Sequence, residues 1–213
     1  MEQPAREQAF ITALVTEHFV LQSARSATIG EANGRASIYL SAVSSALVAF
    51  GFLAQVATRL DPFVAAVLPA LFIMGEFTFI RLVENGVESL LVLQRIQRIH
   101  GYYRGLMPEA EQFFEAPPAD DDMVAALAST GMRTTWVGIL FTAGSMVAAV
   151  NSILGGAGLA LLAGRLGGLG SGPAVLVGLA GTLVLFGLHL RYQLRRAAEV
   201  GMRPQPMRGR VGR

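Results

Sequence analysis

Residues 36–58 read ASIYLSAVSSALVAFGFLAQVAT, an apolar run without one charged side chain, flanked by Arg35 and Arg59. At about 1.5 Å per helical residue, such a run covers the ~30 Å hydrocarbon layer of a bilayer with room for tilt. Backbone amides in lipid find no water, so the run is expected as an α-helix that keeps its hydrogen bonds to itself. It is also expected to act as an uncleaved signal anchor, because the segment before it is mixed and charged.

The same pattern recurs three times along the chain. After the minimal turn Arg59-Leu60-Asp61-Pro62, a second span is expected over 62–82, with Asp61 as cap and Pro62 in the first turn. A turn this short makes the two spans antiparallel neighbours. Beyond Ile80 the pattern turns amphipathic, with Leu82, Val83, Val87, Leu90 and Ile96 among Arg81, Glu84, Glu88, Arg95 and Arg98. This helix is expected to continue to 100 outside the membrane. Its projecting part is expected to pack on an N-terminal helix within 1–35 that carries Phe10, Leu14 and Leu21 on one side. Residues 101–132 read as a connector broken by Pro108, Pro117 and Pro118. A third span is expected over 133–154, a Gly-rich outer loop over 155–172, a fourth span over 173–193, and a basic tail over 194–213. The expected fold is all-α: an integral membrane four-helix bundle with an N-terminal cytoplasmic helix and a long second helix projecting into the cytoplasm.

Composition agrees with that reading. Of 213 residues 53% are hydrophobic and 15% charged, against roughly a quarter charged in a soluble domain. All basic residues are arginine, a usage associated with GC-rich bacterial genomes. The presumed outer loops hold only Arg59 and Arg165. Basic residues are retained on the cytoplasmic side, so both termini and the connector are expected inside, in the inner (plasma) membrane.

Several chemistries are excluded. Without cysteine there is no disulfide, thiolate nucleophile or Cys-bound metal, and without lysine no Schiff base or P-loop contact. A net charge of +2 gives no reason to expect nucleic-acid binding. His18, His100 and His189 lie in three separate segments without metal-ligand spacing, so no metal and no cofactor is expected.

Glu76, in FIMGEFTFI, is the most unusual residue. A charge at the centre of a spanning helix costs roughly 2.5–3.5 kcal/mol, so Glu76 is expected to face the bundle interior, pair with a cation or bind a proton. Arg81, Glu84 and Glu88 continue along the helix as further ion or proton candidates, with Arg25 or Arg35 as partners that would relieve the repulsion between Glu84 and Glu88. Ser37, Ser41, Ser45 and Ala49 on the first span, Gly138 and Gly144 on the third, and Gly178 and Gly181 on the fourth offer close-approach surfaces for packing within the bundle or between copies. Asn151, Ser152, His189 and Tyr192 read as anchors near the span ends. No nucleophile–base or metal constellation marks an enzyme. The expected function is a non-enzymatic scaffold or regulatory protein that binds a cytoplasmic protein through its helices. The alternative is an oligomeric ion channel or small transporter using Glu76.

Overall fold

The computed structural model describes residues 3–55, 57–106, 109, 112–113 and 142–200. Four helices account for almost all of them: α1 (Gln3–Leu53), α2 (Ala57–Leu106), α3 (Ala143–Arg165) and α4 (Ser171–Glu199). All four are long and apolar enough to cross a membrane, and at most 28% of the most apolar window of any of them is buried inside the protein. Large side chains such as Phe52, Phe77 and Leu183 are each 72% exposed. Apolar surface on this scale is rare on soluble monomers and points to a membrane protein.

The helices differ from expectation at their ends. The first helix and first span are one helix, because only Gly30 and Gly34 lie at the expected break and a glycine costs ~1 kcal/mol where a proline costs ~3. The second helix opens at Ala57, so Pro62 and Pro69 both lie inside it rather than Pro62 leading it. Prolines of this kind are tolerated in apolar helices because neighbouring groups re-satisfy the freed carbonyl.

The largest difference concerns the extent of the third helix. Helix α3 starts after Thr142, whose extended backbone (φ −100°, ψ 158°) and hydroxyl, accepting from the Ser145 amide, form its N-cap. The helix then runs through the glycines expected as an outer loop over 155–172 and ends at Arg165. Its chain exit turns at Gly168 (φ 64°), a left-handed conformation that glycine adopts without strain. The connector, the stretch 133–141 with Gly138, and the tail from 201 lie outside the described residues.

The chain divides into two compact units. The first includes α1 up to Glu31 and α2 from Asn85 onward. Leu21, Val92, Ile96 and Ile99 are buried together there, with Leu14 and Tyr103 against them. Phe10 meets Tyr102 edge-on at 5.4 Å, and the rings of His18 and His100 lie 5.2 Å apart. Burial, then the neighbouring His18 and Arg104, lowers the His100 pKa below its ordinary value. The folded unit therefore favours neutral His100, and the stability this residue contributes is complete above the ordinary histidine pKa and is lost as pH falls through and below it. Between about pH 7.5 and about pH 5.5, amides near His18 and His100 are expected to exchange hydrogen faster than intrinsic rates predict. In His100→Gln that acid response should disappear; an unchanged response would assign it to another group.

The second unit comprises Ala32–Glu84 and Phe141–Arg196. Its core is Ala36 and Tyr39 of α1, Phe79, Leu82 and Val83 of α2, and Val147 and Ala148 of α3, with Phe186 and Tyr192 of α4 packed on it. The face α1 uses is thus Ala36, Tyr39, Leu40 and Val43. Ser37, Ser41 and Ser45 are exposed and Ala49 half-buried, so the face they share is not the one that packs within a single copy. The reason is angular: at about 100° per residue, Ser37 and Ser41 point well away from Tyr39. The close approach lies instead between α3 and α4. A Cβ on Gly178 would lie 2.8 Å from both the Ala160 Cβ and the Gly156 carbonyl, and one on Gly181 would strike Leu159. Gly144 faces Leu82 and Val83 of α2 at ordinary contact distance. Where lipid surrounds the helices, small residues of this kind let backbones meet and gain dispersion contacts that lipid tails alone do not give.

Candidate functional site

Each helix of the second unit contributes a polar side chain to one cluster. On α2, Gly75, Phe79, Leu82 and Val83 form the buried face, and Glu76 lies at its edge. Gly75 is what admits a partner: a Cβ there would overlap the carboxamide of Asn151, which lies directly against the bare backbone. Asn151 and Ser152 of α3 and Tyr39 of α1 have no exposed surface, and His189 of α4 is 5% exposed.

The hydrogen bonds run in one direction. The Tyr39 hydroxyl donates to Asn151 Oδ1 at 3.1 Å, and Asn151 Nδ2 donates to Glu76 Oε1 at 3.0 Å. His189 Nε2 lies 3.0 Å from the same oxygen. On the far side of the ring, Nδ1 is 2.7 Å from the Leu185 carbonyl. A carbonyl can only accept, so Nδ1 carries a hydrogen. Ser152 donates to the Ala148 carbonyl at 2.6 Å and turns a lone pair toward Nδ1 at 3.2 Å. Phe79 closes the ring off edge-to-face, with centroids 4.5 Å apart.

This geometry leaves one proton to assign. With Nδ1–H committed to Leu185, the contact between Nε2 and Glu76 Oε1 holds a single hydrogen, as imidazolium and carboxylate or as neutral imidazole and carboxylic acid. Both arrangements are neutral overall, which makes the pair tolerable in an apolar setting where a lone charge is not. The cluster offers no nucleophile aimed at an open cavity, and among the described residues no three His, Cys, Asp or Glu side chains converge as metal ligands.

A second polar contact lies further along α2. Arg196 grips Glu84 with two bonds, Nε to Oε1 at 2.8 Å and Nη2 to Oε2 at 2.6 Å, and Tyr192 donates to Oε1 at 3.2 Å. The partner of Glu84 is therefore an arginine of α4, not Arg25 or Arg35 as the sequence suggested. Arg81 and Glu88 are exposed, and the Arg81 charge acts on Glu84. Beside this contact Ser145, Gln193 and Thr142 bond to one another at 3.1 Å.

Of the expected site residues, Glu76 lies within the cluster and Glu84 in its own ion pair. Tyr39, Asn151, Ser152 and His189 were not expected as site residues, the last three having been read as span-end anchors. For Asn151 the displaced start of α3 is the cause: counted from Thr142 rather than from residue 133, it moves from one end of the span toward the other. Comparison with models of known protein families, with characterised proteins and with solved structures gives no match.

Proposed function

We propose that this chain is a proton-responsive regulatory protein of a bacterial plasma membrane, non-enzymatic, with four spans and both termini in the cytoplasm. The proton held between Glu76 and His189 sets the packing of the spans, and the cytoplasmic helices carry that state to a protein partner. The observation that carries this reading is the contact at 3.0 Å between the buried His189 imidazole and the half-buried Glu76 carboxyl, braced from α1 and α3 by Tyr39 and Asn151. Intramembrane ionisable residues are rare and mark proton or ion sites by default. The cytoplasmic placement rests on the arginine distribution. Exposed Phe10, Phe19 and Val20 on α1 supply apolar surface for a partner.

In lipid vesicles, shifting the pH should change hydrogen exchange around Glu76, Asn151 and His189, with a carboxyl infrared band that is absent from Glu76→Gln. Glu76→Gln preserves side-chain shape and removes the titrating group. A wild-type protein with neither the band nor the exchange response would end the proposal.

A second reading, an oligomeric channel or transporter using Glu76, has support of its own. The Glu76 side chain is 34% exposed, and the face bearing Ser37, Ser41 and Ser45 is free to meet another copy. Proton flux into vesicles, abolished in the same variant, would favour it over the regulatory reading.

A further inference from the structure

In the first unit the seam between α1 and α2 is apolar at Leu21, Val92, Ile96 and Ile99. The same helix faces carry polar atoms that are buried and make no hydrogen bond. On α2, Asn85 lies two helical turns before Val92 and shares its face. The residue is 2% exposed, yet both ends of its amide, Oδ1 and Nδ2, are unbonded. On α1, His18 and Arg25 lie one turn to either side of Leu21. Arg25 Nε is buried without an acceptor. The Gln22 amide donates to His18 Nε2 at 2.8 Å, so His18 Nδ1 carries the ring hydrogen, and it too is buried without an acceptor. Among the described residues of the second unit, no buried side-chain nitrogen or oxygen is left in this state.

We infer that this seam is a latch, which opens and closes while the rest of the protein stays folded. Burying an amide or an N–H without a partner forfeits its bonds to water, and opening restores them. Each such loss is comparable in size to the gain from burying one aliphatic side chain. Leu21, Val92, Ile96 and Ile99 therefore hold the seam shut by a narrow margin. The helices themselves survive opening, because their backbone bonds lie within each helix.

Two glycines ease the movement. Gly30 on α1 and Gly86 on α2 lie at the end of the seam nearer Asn85, and a Cβ on either would meet nothing within 4 Å. Packing therefore does not demand them, as it demands Gly75. A glycine inside a helix loosens it relative to alanine, so each helix gives way most easily there. The open seam presents a strip of aliphatic side chains that the closed form hides. The inference depends on neither the membrane placement nor the proton at Glu76.

The chain has no cysteine, so one introduced thiol reports on one place. Val92 in the seam and Val83 in the core of the second unit form a matched pair, both on α2 and 8% and 7% exposed. Val92→Cys and Val83→Cys, each in the full chain in detergent micelles, are labelled with a water-soluble maleimide, with the denatured protein as reference. The thiol of Val92→Cys should react about tenfold faster than that of Val83→Cys. Adding Asn85→Leu, which keeps the side chain's bulk and removes its unbonded atoms, should slow labelling of Val92→Cys about tenfold. The rate in Val83→Cys should not change. Adding Gly86→Ala instead should slow Val92→Cys about threefold. Equal rates for the two thiols, or a rate in Val92→Cys that neither added change slows, would overturn the inference.

Discussion

Replacing His189 with leucine should destabilise the folded protein by about 1–3 kcal/mol, the cost of removing a hydrogen-bond partner from the half-buried Glu76 carboxyl and of lost packing. The imidazole is almost fully buried, and its Nε2 faces Glu76 Oε1 at 3.0 Å. Without the ring, Glu76 Oε1 keeps only the hydrogen bond from Asn151 within the cluster. Ser152 loses a neighbour too, although its own hydroxyl remains bonded to Ala148. The companion change Glu76→Leu should be costly alone for the same reason. Combined with His189→Leu it should recover much of the loss, since two apolar side chains can replace a buried pair at little net cost. Thermal unfolding in detergent across this double-mutant cycle measures the coupling. Strict additivity of the two single losses would mean that the contact contributes nothing.

Gly75→Ala should be the second most damaging small change, although it adds one methyl group. That methyl would occupy the space of the Asn151 carboxamide. Asn151 must then move, releasing both the Tyr39 hydroxyl and the Glu76 carboxylate from it. Overpacking of this kind costs about 1–3 kcal/mol, and each buried group left unbonded adds a similar amount. Adding Asn151→Ala removes the obstruction, so the double variant should be more stable than Gly75→Ala alone while still lacking the Tyr39–Asn151–Glu76 path. Should the second substitution bring no recovery, the close approach of α2 and α3 at Gly75 would be refuted.

Glu76 was legible because a carboxylate in an uncharged stretch stands out and its desolvation cost demands a partner. The partners were not legible, for two reasons. The apolar character of 133–165 extends well beyond the ~20 residues a bilayer needs, so two placements of the third span were open. The run GGAGLALLAG also looks like a loop by propensity, since each glycine costs ~1 kcal/mol in a helix in water. In apolar surroundings that penalty is outweighed, because an unbonded backbone amide costs several kcal/mol. A sequence signal for the correct placement did exist. Gly156 and Ala160 on α3 and Gly178 and Thr182 on α4 each repeat small residues at four-residue spacing, the pattern of two helices in close contact. Tyr39 could have been flagged too, as a hydroxyl in an apolar run that needs a bonding partner.

The amino-acid order by itself determined that four stretches form helices with apolar surfaces, because periodicity, length and charge are local properties that no neighbour can change. Which polar residues meet depended on where α3 begins and how closely α2 and α4 approach it. Those are set by the cap at Thr142 and by glycines whose importance lies in what packs against them. Hydrogen bonds act over about 3 Å, so a shift of even one helical turn separates the groups of this cluster or joins them, and only the folded protein fixes that register.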